Sequence, residues 1–282
     1  MEIAFSHVDA FTRQAFGGNP AVVCRVDAWP PDAWMQQVAG EMNAGATVFV
    51  RCSHDRTELR WFSPTVELEM CGHGTLAAAH ILWEAGVADP AAPIAFHTRA
   101  GELGAVRDGD RIVLDFPMLV EHVALPPDGL LAALGLVDAG YVGRNRFDYL
   151  VEVEHEQTVR GLRPDMSALA RIETRGVIVT SRAADPDVDF VSRFFAPATG
   201  IAEDHATGSA HCCLAVFWGR RLERTRLTAR QLSPRGASFA LELAGDRVRI
   251  GGDAVTVSDG RLTVAPSLHS STVVTLLRGS GT

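Results

Sequence analysis

Lysine is missing from this chain: all 26 of its basic residues are arginine. That absence excludes two broad enzyme classes at once. A pyridoxal-phosphate enzyme needs a lysine for its Schiff base, and a Walker A loop needs one for its phosphates. Cysteine is scarce as well. Cys24, Cys52, Cys71, Cys212 and Cys213 are odd in number and scattered, and no CxxC pair offers a zinc site. They read as reduced thiols of a cytoplasmic protein, not as a disulfide framework. No run approaches the roughly 18 apolar residues that span a bilayer. Met1 leads directly into a strand-like segment, Glu2 to Phe11, without the basic start or apolar centre of a secretory leader. Positive charge is in deficit, with a formal net charge of −8 and no basic block to offset it. Nucleic acid and anionic membranes are therefore not expected partners.

What is present is a globular composition. The 282 residues, 47% of them hydrophobic, supply the core of one large or two ordinary domains. Segments 3–11, 21–26, 47–51, 59–62, 112–116, 149–153, 176–180, 239–243, 247–250 and 272–277 read as strands, many with period-two alternation. Helical patterns are fewer: 31–42, 74–84, 130–134, 166–172 and 209–218. Few helices among many strands predict an α+β fold and not an alternating βαβ one. The proline-bearing stretch 117–127 marks the expected boundary between a lobe of residues 1–117 and a lobe of residues 118–267. The last strand, 268–282, is expected to return to the first lobe.

A short echo links the two halves. Phe62-Ser63-Pro64 precedes Cys71-Gly72-His73-Gly74-Thr75 and a helix, and Phe195-Ala196-Pro197 precedes Thr207-Gly208-Ser209-Ala210-His211 and another. Phe-x-Pro is too short to settle a duplication. If both halves share one design, however, their glycine loops face each other across a central cleft. A glycine loop at a helix start aims unpaired N–H groups outward at the positive end of the dipole, which makes an anion site. Two such loops could grip a carboxylate and stabilise charge that develops beside it, as removal of an α or allylic proton requires. Acid/base candidates stand on both: Cys71 and His73 on the first, Glu203, Asp204, His205 and His211 around the second. Plainer roles compete, with Cys71 as a core residue, Asp204 as a helix cap, and His80, Cys212 and Cys213 as packing.

At these residues the chain resembles the PhzF-like (phenazine biosynthesis-like) family. Asp9-Ala10-Phe11-Thr12 with Gly18-Asn19-Pro20-Ala21-Val22-Val23 is similar to the family's opening. Phe62-Ser63-Pro64, Glu67 and Cys71-Gly72-His73-Gly74-Thr75-Leu76-Ala77 resemble its central signature. Arg193-Phe194-Phe195-Ala196-Pro197 and the run Gly200 to His211 resemble its second, and weaker echoes reach Gln231, Arg235-Gly236 and Asp253-Ala254-Val255. The resemblance implies the diaminopimelate-epimerase fold: two similar lobes, each a mixed sheet wrapped around a central helix, with the active site between them. It implies an isomerase acting on a small carboxylate, without cofactor or metal, in many cases a homodimer. Relatives in antibiotic pathways shift double bonds.

Carried over residue by residue, the resemblance makes His73 and Asp204 the catalytic pair. It places Gly72, Gly74, Thr207, Gly208 and Ser209 on the loops that hold the substrate carboxylate, and Ala46 among the residues expected to line the substrate. One departure stands out. Where the family reads Glu-Met-Asn-x-Ser-Glu-Thr, this chain reads Glu41-Met42-Asn43-Ala44-Gly45-Ala46-Thr47, so the glutamate that shuttles the proton is Ala46. Three readings follow. The first is a PhzF-like isomerase that moves a proton through His73 and Asp204 in a small, amino-acid-derived carboxylate. The second is a racemase, epimerase or dehydratase relying on Cys71, although the opposite position is Thr207. The third is a metabolite-binding homologue that has lost the shuttle but kept the carboxylate cradle.

Overall fold

A computed structural model describes residues 2–53, 56–99 and 101–263. The expected strand at 272–277 and the expected return segment 268–282 lie outside the described residues. The first part of the chain runs β1 (Ile3–Ala10), β2 (Asn19–Val26), α1 (Asp32–Met42), β3 (Ala46–Ser53), β4 (Arg56–Phe62) and β5 (Glu67–Leu68). It continues with α2 (Gly72–Glu84), β6 (Ile94–Thr98), β7 (Gly101–Asp108) and β8 (Arg111–Pro117). Next come β9 (His122–Val123), α3 (Leu130–Leu134), β10 (Tyr141–Arg144), β11 (Asp148–Glu152), α4 (Glu156–Gly161) and α5 (Met166–Leu169). Then follow β12 (Gly176–Arg182), β13 (Phe190–Ala196), β14 (Ile201–Asp204) and α6 (Gly208–Leu222). The last elements are β15 (Arg226–Gln231), β16 (Ala237–Ala244), β17 (Arg247–Gly252) and β18 (Ala254–Leu262).

Strand pairing decides the question that the sequence echo leaves open. In the first half, β18, β1 and β2 pair antiparallel, β2 and β3 parallel, and β3 and β4 antiparallel. There β4 and β6 are parallel, and β6, β7 and β8 antiparallel. In the second half, β9, β10 and β11 pair antiparallel, β11 and β12 parallel, and β12 and β13 antiparallel. There β13 and β15 are parallel, and β15, β16 and β17 antiparallel. The two sequences of orientations are identical. Even the short flanking strands correspond: β5 is antiparallel on β4, and β14 is antiparallel on β13. The halves join where β8 pairs antiparallel with β17.

The two long apolar helices explain why each sheet curls. From Thr75 to Ala79 and from Ile81 to Trp83, α2 is buried, and α6 is buried from Ala210 to Gly219. A helix that is apolar on every side must be enclosed. Accordingly α2 packs against β1, β2, β3, β8 and β18, and α6 against β15, β16 and β17. Both helices share one apolar core, which also holds Phe11, Phe116 and Phe239. A second cluster lies under α1 and a third under α3, α4 and α5, so the central strands are covered on both faces. The chain crosses between halves twice, from β8 to β9 and from β17 to β18, the second crossing made by the strand Ala254–Leu262. No helix among the described residues is long and apolar enough to cross a membrane.

Candidate active site

Both central helices begin on a glycine that follows an extended residue, Cys71 for α2 and Thr207 for α6. Neither of these residues caps its helix with a side-chain hydrogen bond. Asp204 is not the cap either, because it ends β14 three residues earlier. The two helix starts meet. A methyl group placed on Gly72 would lie 3.6 Å from the Cα of Gly208, with the Phe116 ring equally near. Two positive dipole ends thus face one point, which favours a negative charge there. Gly72, Ser209, Asp204 and His205 retain partial exposure, while Gly74, Thr207 and Gly208 are buried.

Around this junction the polar groups form one network, and Asn19 is its hub. The Asn19 Nδ2 donates to Asp204 Oδ1 at 2.7 Å and to the Ala206 carbonyl at 3.0 Å, and lies 3.3 Å from His73 Nδ1. The other oxygen of Asp204 accepts from Thr207 Oγ1 at 2.6 Å. Gln231 closes the loop behind it, donating to the Asp204 carbonyl at 2.6 Å and accepting from the Thr207 N–H at 2.9 Å. Arg235 locks the segment that carries Asn19: it donates to the carbonyls of Gly17 and Gly18 and, at 2.6 Å, to Asp9. Gly18 has a φ of +58°, and any Cβ there would sit 2.1 Å from the Ala10 carbonyl oxygen, so only glycine makes this turn.

Burial lowers the pKa of His73; the Asp204 charge opposes that shift and nearby His205 adds to it. The imidazole is therefore neutral near pH 7. Cys71 Sγ lies 3.5 Å from His73 Nδ1, and burial pushes its thiol up to about 12. A thiol with that pKa is not a base at neutral pH. Iodoacetamide is expected to label exposed Cys52 and leave Cys71 untouched in the folded protein, as read by peptide mass spectrometry. Rapid labelling of Cys71 would contradict this.

Other candidates fall away from the junction. His211 is fully buried, stacks 3.6 Å from the Phe239 ring, and places Nδ1 2.9 Å from the Thr207 carbonyl. Burial lowers its pKa to about 4, so it is a neutral packing residue. Glu203 is held by both oxygens on Arg193, at 2.7 and 2.8 Å, and neither side chain is more than 12% exposed. That pair anchors β14 and so the position of Asp204. Glu203→Ala leaves the guanidinium buried and unpaired. It is expected to lower unfolding free energy by about 3 kcal/mol in urea titrations, and a loss below about 0.5 kcal/mol would show the pair to be dispensable.

The segment of the expected Glu-to-Ala departure places its two residues differently. Ala46 is fully buried in the core around α2 and offers no surface to a ligand. Gly45 is the position next to His73: a side chain there would begin 3.4 Å from Nε2 and 2.7 Å from Asn19 Oδ1. Glu41 is exposed on α1. Asn19 and Gln231 carry part of the family resemblance, but the sequence alone gives them no role in the site. The available signal was the Gly18-Asn19-Pro20 turn, where glycine and proline fix the backbone on either side of a polar side chain.

With the geometry in place, comparison with known proteins gives the lineage. Residues 8–260 match the family described as phenazine biosynthesis-like protein. The chain belongs to that family. An uncharacterized isomerase of Halalkalibacterium halodurans is 48% identical over 251 residues, 89% of this chain and 94% of the relative. The crystal structure of a PhzF-family protein from Enterococcus faecalis superposes with a TM-score of 0.89 at 37% identity, covering 94% of this chain and all of that one. More distantly, a hydroxyproline epimerase from Agrobacterium vitis shares the fold, with a TM-score of 0.60 at 14% identity over 93% of this chain and 92% of its own. This PhzF-like chain therefore stands among isomerase-type proteins with an epimerase-like α+β fold.

Proposed function

We propose that this PhzF-like protein is a cofactor-independent isomerase that moves a proton, and with it a double bond, within a small carboxylate metabolite. The observation that carries the reading is the meeting of two helix N-termini at Gly72 and Gly208, with Asp204 and His73 held beside the junction by one amide. The substrate carboxylate sits on the facing N–H groups. Asp204 takes the proton from the allylic carbon, breaking the C–H bond. The electron pair spreads toward the carboxylate, where the dipole ends and the His73 ring N–H stabilise it. The proton then returns at the far carbon and the double bond shifts. No net charge or electron is gained.

Each Asp204 oxygen holds one donor, which leaves lone pairs for this task. Its partial exposure lets a captured proton exchange with water. Incubation in D₂O with a panel of unsaturated, amino-acid-derived carboxylates is expected to place deuterium at the new sp³ carbon of one of them, read by proton NMR. Thermal stabilisation by such a ligand without any exchange would overturn the reading in favour of a binding protein. The Cys71-dependent racemase is disfavoured by the protonated thiol and by Thr207 in the opposite position. A secondary-metabolite pathway, a cytoplasmic location and a homodimer belong to the same proposal, on the family's habit.

A further inference from the structure

We infer that Asn19 is a positioning residue that fixes His73 as the tautomer carrying its proton on Nε2, so that the ring is a hydrogen-bond donor at Nε2 and not a base. The geometry stands apart from the proposed reaction; only its catalytic consequence rests on that reading.

The orientation of the Asn19 amide is settled by its neighbours. Its nitrogen lies 2.7 Å from a carboxylate oxygen of Asp204 and 3.0 Å from the Ala206 carbonyl. Both can only accept, so the NH₂ group and not the oxygen must point there. The same nitrogen is 3.3 Å from His73 Nδ1. The two amide hydrogens are shared among Asp204, Ala206 and the ring, and an amide nitrogen has no lone pair with which to accept. A proton on Nδ1 would find no partner there, so the single proton of a neutral imidazole goes to the other nitrogen. Cys71 Sγ lies 3.5 Å from Nδ1 and 3.7 Å from Nε2, so it bears on both ring nitrogens alike and the Asn19 amide decides between them.

On its far side the amide depends on glycine at position 45. Asn19 is 1% exposed, and its Oδ1 has no hydrogen-bond partner. A side-chain carbon at position 45 would sit 2.7 Å from that oxygen. Glycine at 45 therefore admits the amide at this depth, and a serine would have to displace it. Neither Gly45 nor Ala46 carries a group that could exchange protons with the ring. Asn19 leaves the ring one defined role: an N–H on Nε2, the ring nitrogen nearest Gly45. Proton removal is thereby left to Asp204.

Long-range ¹H–¹⁵N correlation on the ¹⁵N-labelled full chain at neutral pH reads the tautomer without any substrate. The His73 pattern is assigned by its loss in His73→Gln. The expected result is an unprotonated Nδ1 and a protonated Nε2 in the wild type. Asn19→Asp, which replaces the donor by an acceptor, is expected to abolish the unprotonated Nδ1 signal. A wild-type ring with Nδ1 protonated, or a ring unchanged in Asn19→Asp, overturns the inference. Should Asn19→Asp fail to fold, the wild-type spectrum alone decides. Failure of the isomerase reading is seen separately, as absence of deuterium exchange with the ring signals as expected.

Discussion

Asp204→Asn is expected to lower turnover by about 10²–10⁴-fold, the range for loss of a general acid–base group. The substitution nearly preserves shape. Its remaining carbonyl oxygen can still accept from Thr207 or from Asn19, and β14 stays anchored by the Glu203–Arg193 pair. An unfolding midpoint close to wild type would therefore accompany the loss. The measurement is the rate of deuterium incorporation into the responsive carboxylate, taken beside a urea titration of the same sample. A variant that is stable and fully active would remove Asp204 from the chemistry.

The second large effect concerns His73. His73→Ala removes the ring N–H from beside the meeting point of α2 and α6, and is expected to reduce turnover by about 10²–10³-fold, as loss of a charge-stabilising donor does. A comparison within the position separates donor from proton carrier. His73→Gln places an amide N–H near the former Nε2 and is expected to recover part of the loss, whereas a proton carrier could not be replaced by an amide. Equal inactivity of the alanine and glutamine variants would return His73 to a proton-transfer role.

How far the sequence could be read depended on which side chains face what. β16 and α1 announced themselves, because their buried residues follow the periods of a strand and a helix. The strand Phe190–Ala196 did not, although it is central to the second half. It is buried on both faces, so its residues show no alternation. Arg226–Gln231 fails for the opposite reason: it alternates in burial, but alanine, threonine and glutamine blur the contrast. The meeting of the glycine loops was legible from Phe62-Ser63-Pro64 and Phe195-Ala196-Pro197, and the duplication behind it became firm only through strand orientation. Asn19 was legible as part of a turn and not as a hub, because its partners Asp204 and Ala206 lie more than 180 residues away. The bidentate grip of Arg193 on Glu203 was hidden similarly. A motif that reads Glu-Asp offers two carboxylates, and only the fold says which one is taken.

The two crossings between halves carry a consequence for any attempt to take the protein apart. The strand that completes the first half, residues 254–262, comes only after the whole of the second half, and the strand that opens the second follows directly on the first. A fragment ending at Pro117 would lack β18 and leave the edge of β1 bare, an invitation to aggregate. Co-expressed with the remainder of the chain, the same fragment has its missing neighbour supplied in trans. Neither piece is a self-sufficient module, and a split gene would succeed only as a pair.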